Sequence, residues 1–269
     1  MDIGLLVTDS LAYSQEALVG KWTRWAIFVL FALPFSLIRF VFDPKKMMVG
    51  TTMNWGAIPW GQIAVLAGIG FILSFFLSGY VVRVYRGTKP APDFTEWVTL
   101  FVDGIKLAIV WLLWFIPLLA VLVAMIAIAF VSFISVKATA ASAPDITMLL
   151  LVLLLLLVEF VLFVIVMLFG ILGAVRFART GSIREGIRFS AILTTIRTMG
   201  WLSYILALIV LVVVTVIFFI ITAILDFIPF IGWVIVLLVT PFFTIFTARY
   251  FAVLYEQGEP QAVAPAPVP

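Results

Sequence analysis

Six long apolar runs constrain the fold of this chain more than any other feature. They cover about 25–42, 60–82, 107–136, 146–175, 202–225 and 230–254. A helix of about 20 apolar residues crosses the ~30 Å hydrocarbon layer with its backbone groups bonded internally. With 65% hydrophobic and 11% charged residues, the chain has too little polar surface for a water-soluble particle. The runs therefore predict an all-α, polytopic membrane helical bundle of six transmembrane helices.

We expect these helices to form a single domain over residues 1–255. Residues 256–269, EQGEPQAVAPAPVP, are rich in proline and alanine and predict an extended tail. Prolines lie inside three of the runs, where they favour kinks, at Pro34, Pro117 and Pro241.

The connectors between the runs predict amphipathic helices on the membrane surface. Residues 174–201 carry five arginines against a single acid, and the S-x-x-E pattern from Ser182 to Glu185 predicts a capped helix start. Asp93 with Glu96 repeats this pattern ahead of the third run and predicts a second surface helix. Residues 3–20 predict another. An amphipathic helix of a soluble core is the alternative, but the flanking runs are too apolar for it.

The distribution of cations predicts the topology. Of the sixteen Lys and Arg residues, all but Arg39, Lys45, Lys46 and Lys137 fall on the side that holds both termini. Loops rich in Lys and Arg stay in the cytoplasm, so both termini are predicted to be cytoplasmic in a cell membrane. The net charge of +3 follows from this arrangement. We therefore expect no nucleic-acid binding.

Regularly spaced prolines suggest an internal repeat. Pro59, Pro144 and Pro229 are 85 residues apart, and each precedes a run that returns to the cytoplasmic side. The connectors after the second and the fourth run agree roughly with this repeat, since each contains an R-x-x-R pattern. The pattern predicts three repeats of one surface helix and two spans, although prolines also favour the first turn of any helix.

Residues 79–114, GYVVRVYRGTKPAPDFTEWVTLFVDGIKLAIVWLLW, carry a family resemblance. They resemble a family of multi-pass membrane proteins, frequent in archaea, known as domain of unknown function 4013. The plan of spans and surface helices is similar from residue 22 to residue 256. The resemblance implies this fold in a prokaryotic cell membrane and implies no catalytic residues.

Glu159 is the only acidic residue deep inside a run. A charged carboxylate there costs several kcal/mol. It could act as a relay for protons or cations, or it could be a neutral acid bonded to a neighbouring helix. A partner subunit supplying the opposite charge is a third possibility.

Arginines at the inner ends of the runs are candidate ligands for lipid headgroups or for an acidic partner, because the guanidinium fork fits phosphate. The alternative is that they only set the topology. These residues are Arg83, Arg86, Arg176, Arg179, Arg184 and Arg188.

The chain has no cysteine and no histidine, and it lacks glycine-rich phosphate loops and nucleophile motifs. We therefore predict no catalytic residue, no metal site and no cofactor. The expected function is that of a non-catalytic structural or organising membrane component. Its expected partners are membrane lipids and either itself or another membrane protein. The alternative is a transporter or channel for an ion or amphipathic small molecule that uses Glu159.

Overall fold

A computed structural model describes residues 2–41, 47–49, 52–139 and 146–259. The described part of the chain is all-α apart from one short pair of antiparallel strands, β1 (Met48–Val49) and β2 (Thr52–Met53). A single turn of 3-10 helix, Trp55–Ala57, follows the strands. The helices are α1 (Ile3–Leu18), α2 (Trp22–Val41), α3 (Trp60–Tyr85), α4 (Trp97–Thr139), α5 (Ile146–Thr180), α6 (Ile183–Gly186), α7 (Phe189–Met199), α8 (Trp201–Asp226) and α9 (Ile231–Gly258).

Six of these helices are long and apolar enough to cross a membrane, namely α2, α3, α4, α5, α8 and α9. The predicted fold class is therefore confirmed. Some ends differ from the sequence prediction. Helix α9 continues to Gly258, so the first residues of the predicted tail 256–269 are helical. Residues 260–269 of that tail, the loop lysines Lys45 and Lys46, and Pro144 lie outside the described residues.

The chain divides into two compact units by its internal contacts, and the single transmembrane domain over 1–255 stays a prediction. One unit is Met1–Ala108 with Thr194–Pro269, and the other is Ile109–Leu193. The second unit is thus inserted between two segments of the first. Hydropathy cannot mark this boundary, because apolar helices build both units.

In the first unit, α1 packs along α9 and is not a free surface helix. Leu6, Ala17 and Leu18 of α1 are completely buried. The Asp9 carboxylate accepts a hydrogen bond from Arg249 Nε at 2.6 Å, and the backbone N–H of Asp2 donates to the Gln257 side chain at 3.1 Å. Polar contacts along its length therefore fasten the N-terminal helix to the last one.

Aromatic side chains join α2, α3 and the loop after α3. Phe28 meets Tyr80 edge to face with ring centroids 4.9 Å apart, and Phe94 stacks on Tyr80 at 4.8 Å. Phe94 also stacks on Trp97 at the start of α4. Aromatic pairs in these geometries contribute beyond their buried area. They hold α2, the end of α3 and the start of α4 together.

Two glycines allow α3 and α4 to touch through their backbones. A Cβ atom placed at Gly79 would lie 1.8 Å from the Leu100 carbonyl oxygen, and one at Gly104 would lie 1.8 Å from that of Phe75. Only residues without a side chain permit such an approach, which is a common device in membrane helix packing. The crossing fixes the start of α4 against α3.

The second surface helix does not form a separate element, so this prediction is wrong. The segment after Asp93 and the third span form one continuous helix, α4. Asp93 does not cap it, since its carboxylate is bonded by Arg24. Glu96, just before the helix, has a positive φ of 50°. No proline interrupts the sequence between Trp97 and the third run, so nothing ends the helix there.

The predicted arginine-bearing helix is split into α6 and α7. Ser182 occupies the N-cap position of α6, but its side chain makes no capping hydrogen bond. The helix stops because Gly186 packs against α5, where a Cβ atom on Gly173 would lie 2.3 Å from the Gly186 carbonyl oxygen. That oxygen accepts a hydrogen bond from Trp114 Nε1 at 3.1 Å.

The threefold repeat is not shared in full. The first third has the expected order of surface helix and two spans in α1, α2 and α3, and the last third has it in α6 with α7, α8 and α9. The middle third has no separate surface helix, because that segment is the beginning of α4. The repeat prediction is therefore wrong for the middle third.

Candidate functional site

In the first unit, a buried arginine joins α1, α2 and the loop after α3. The Arg24 side chain is only 4% exposed and bonds to the carboxylate of Asp93. It also donates to the Ala17 carbonyl at 2.8 Å. The hydrogen bond and charge of Arg24 lower the pKa of Asp93 below its ordinary value. The sequence pattern predicts Asp93 as a helix cap and carries no signal for its pairing with Arg24.

Arg83 supports the same loop from α3. Its guanidinium donates to the Asp93 carbonyl at 3.0 Å and to the Thr95 carbonyl at 2.7 Å. Arg86 donates to the Asp103 carboxylate at 2.7 Å. These contacts engage both side chains within the protein. A role for Arg83 and Arg86 in binding lipid headgroups stays a prediction.

A second ion-pair cluster links α1, α9 and the loop after α3. Asp9 bonds Arg249 at 2.6 Å and Lys89 at 2.8 Å, and Arg249 itself is 2% exposed. Burial raises the pKa of Asp9, but the hydrogen bonds from Arg249 and Lys89 outweigh it, so the net shift is downward. The cluster neutralises a cation that burial would otherwise penalise.

In the second unit, Glu185 holds two of the predicted site arginines. Its Oε2 atom accepts from Arg176 Nε at 3.1 Å, and its Oε1 atom accepts from Arg188 Nη1 at 3.0 Å. These hydrogen bonds, with that of Arg176 the larger cause, lower the pKa of Glu185. The carboxylate therefore stays ionised at neutral pH and orients both guanidinium groups.

The same stretch borders a polar cavity of about 560 Å³ lined by Arg184, Glu185, Ile187 and Arg188. Arg184 is exposed and Arg179 is half-buried. The side chain of Arg188 is 57% exposed. The break between α6 and α7 thus brings two of the predicted arginines to one opening.

A second, apolar cavity of about 290 Å³ shares Ile187 with the polar one. It lies between α4 and α5 and is lined by Leu113, Trp114, Pro117, Leu162, Ile165, Val166 and Ile187. Part of this lining comes from Pro117, the kink residue predicted for α4.

Glu159 lies on α5, on the side that carries Leu162 and Val166 at three- and four-residue steps. Its side chain is half-buried, whereas Phe160 beside it is 64% exposed. The Oε2 atom of Glu159 is shielded and has no hydrogen-bond partner. A carboxyl oxygen left without a partner in apolar surroundings is costly. The expected bond to a neighbouring helix is not found at this oxygen.

Within the described ranges, no group of three or more His, Cys, Asp or Glu residues could hold a metal ion.

At the opposite end of the first unit, Arg39 bonds both oxygens of Asp226, at 2.7 and 3.1 Å. These two residues are 187 positions apart, so the sequence carries no local pattern that predicts their pairing.

Together, the six apolar helices define a multi-pass α-helical membrane protein. Comparison with protein families then places the chain. Residues 62–227, more than half of the sequence, match the family described as protein of unknown function (DUF4013), so the chain belongs to that family. No curated protein and no solved structure matches it. The family resemblance of the sequence is therefore confirmed.

Proposed function

We propose that this protein is a non-catalytic structural or organising component of a prokaryotic cell membrane, which associates within the bilayer with another copy or another membrane protein. The observation that carries the proposal is the exposure of α4 and α5. Only 6% of the most apolar stretch of each is buried, against 33% in α9. These two helices leave broad faces available to a partner.

Glu159 supplies a physical reason for association. Apolar faces alone give little preference for protein over lipid, because both are equally apolar. A polar side chain inside the bilayer changes this balance, since the half-buried carboxyl group of Glu159 can accept a hydrogen bond from a partner at the oxygen other than the shielded Oε2. The partner proposed here therefore approaches the α4–α5 surface near Glu159.

The cytoplasmic orientation of both termini is part of the proposal, and it rests on the positive-inside rule. In this orientation Arg179, Arg184 and Arg188 face the headgroups of the inner leaflet. An impermeant thiol reagent tests the orientation on intact cells, because no native cysteine interferes. A cysteine at Ser182 should react only after the membrane is opened, and reaction in intact cells would reverse the topology.

Photo-crosslinking tests the association itself. A photoreactive residue at Phe160, which is 64% exposed on α5, should yield adducts between protein chains in native membranes. Phe71 on α3 is a matched control, since it is 60% exposed and also aromatic. The proposal requires protein adducts from Phe160 well above those from Phe71. Lipid adducts alone from both positions would refute it.

The alternative is a transporter or channel that uses the unbonded carboxyl of Glu159. This proposal predicts that a permeation activity of the purified protein in vesicles disappears in Glu159→Gln while folding is retained. Proton flux under an imposed pH gradient is the first activity to measure, because it requires no known substrate. Equal flux in the wild type, the variant and empty vesicles would remove this alternative.

A further inference from the structure

The geometry points to a binding site for one anionic phospholipid within residues 109–193, with its phosphate at Arg184 and Arg188 and one acyl chain between α4 and α5. This inference goes beyond the proposed function by adding a lipid ligand, and it rests on the membrane orientation proposed there. It also rests on two cavities, one polar and one apolar, that have a lining residue in common. Each is too limited by itself to identify a ligand, but they share Ile187.

The polar cavity has the chemistry of a phosphate site. Arg184 is exposed, and most of the Arg188 side chain is accessible. Glu185 bonds Arg188 through one nitrogen, Nη1, at 3.0 Å. This contact orients the guanidinium of Arg188 and leaves its other donors available. Phosphate oxygens accept two parallel N–H bonds from such a fork.

The net charge of this surface also selects an anion. The polar cavity is lined by two cations, Arg184 and Arg188, and by a single acid, Glu185, whose charge is also shared with Arg176. A zwitterionic headgroup brings its own cation into this field, whereas an anionic headgroup does not. Charge complementarity therefore favours an anionic lipid over a neutral one.

The apolar cavity is the place for one acyl chain of the lipid. Its lining is made of aliphatic and aromatic residues from α4 and α5, together with Ile187 at the boundary with the polar cavity. Ile187 is 40% exposed and lies in the break between α6 and α7. A ligand with a phosphate at one end and a hydrocarbon chain attached to it fills both cavities. Free phosphate fills only one.

Lipid titration of the purified protein tests the site. The full-length protein in uncharged detergent is titrated with phosphatidylglycerol or phosphatidylcholine, and bound lipid is counted by native mass spectrometry. We expect one retained phosphatidylglycerol per chain, with an affinity at least tenfold above that for phosphatidylcholine. Equal binding of the two lipids would overturn the inference.

Two variants separate the headgroup from the chain. Arg184→Lys keeps the charge but loses the fork, and it should weaken phosphatidylglycerol binding about threefold to tenfold. Leu162→Trp fills the apolar cavity and should cause a similar loss. Leu157→Trp is the matched control, since Leu157 lies on the same helix, is 59% exposed and does not line this cavity. Unchanged binding in both Arg184→Lys and Leu162→Trp contradicts the site.

Inorganic phosphate distinguishes a lipid site from a site for the free ion. Phosphate at millimolar concentration should displace little lipid. Full displacement, combined with normal phosphatidylglycerol binding by Leu162→Trp, would assign the arginines to free phosphate and refute the lipid. If Leu162→Trp does not fold, the Arg184→Lys titration still decides the result. Crosslinking from Phe160 is a separate measurement, so the proposed association and the lipid site can fail independently.

Discussion

The close crossing of α3 and α4 gives the sharpest prediction about stability. In Gly79→Ala, the new methyl carbon would lie 1.8 Å from the Leu100 carbonyl oxygen. Ordinary van der Waals contact begins near 3.4 Å, so the two backbones must separate by about 1.6 Å. The clash is with backbone, and no side-chain rotation relieves it. Overpacking of this kind costs about 1–3 kcal/mol, and the upper end applies here.

Alanine also favours the helix over glycine by roughly 1 kcal/mol, which offsets part of this cost. The net loss of about 2 kcal/mol lowers the Tm by roughly 4–8 °C in a chain of this size. Gly68→Ala is the matched control. It lies in the same helix, and nothing is within 4 Å of its added carbon. It should gain the helix preference alone, with a Tm rise of roughly 2–4 °C.

Thermal unfolding in detergent, followed by size-exclusion chromatography after heating, measures both variants side by side. The reasoning requires the two substitutions to change the Tm in opposite directions. If Gly79→Ala is as stable as Gly68→Ala, α3 and α4 do not approach through their backbones at this position. The described start of α4 against α3 would then be wrong.

Three further substitutions test the ion pairs and the helix break. Because Arg249 and Lys89 lower the pKa of Asp9, its contribution to stability is present above the unfolded pKa and is lost as the pH falls through the lower folded pKa. Asp9→Asn removes this contribution at every pH, so a cysteine at the fully buried Leu6 should become reactive at neutral pH in that variant. Continued protection would mean that the ion pairs of Asp9 do not hold α1 against α9. Arg39→Gln should change the free energy of unfolding by less than about 1 kcal/mol, because the side chains of Arg39 and Asp226 are 47% and 39% exposed. A larger loss in thermal unfolding would mean that the pair is more than a surface contact. Trp114→Phe removes the donor to the Gly186 carbonyl and should cost about 1 kcal/mol in the same assay, whereas no loss would mean that this bond does not stabilise the break.

Hydropathy was sufficient to predict the six spans because a membrane helix satisfies its own backbone. Each run of about 20 apolar residues is therefore a complete local signal. The division into two units was not predictable in this way, since it depends on which helices pack together. Helix α4, in which the predicted surface helix and the third span are one helix, was not predictable for the same reason. A capping pattern at Asp93 and Glu96 is local, whereas the bond from Arg24 to Asp93 spans 69 positions and takes the carboxylate away.

The arginine connector shows why the candidate site was only partly predictable. The sequence identified the charge of residues 174–201 and the position where a helix begins, Ser182. It assigned Glu185 to a cap, because S-x-x-E is a local motif. In the fold, the contact of Gly186 with α5 ends the helix after one turn, and Glu185 bonds Arg176 and Arg188. A single sequence carries no pattern that shows which glycine packs against another helix.

The same contact links the break to the lipid site. If α6 continued into α7 as one helix, the Gly186 carbonyl would accept from a backbone N–H one turn later and not from Trp114. Ile187 would then lie within a helix and would no longer border both the polar and the apolar cavity. The unpredicted interruption of the connector therefore creates the junction on which the lipid site depends, so a variant that restores a continuous helix should also lose phosphatidylglycerol.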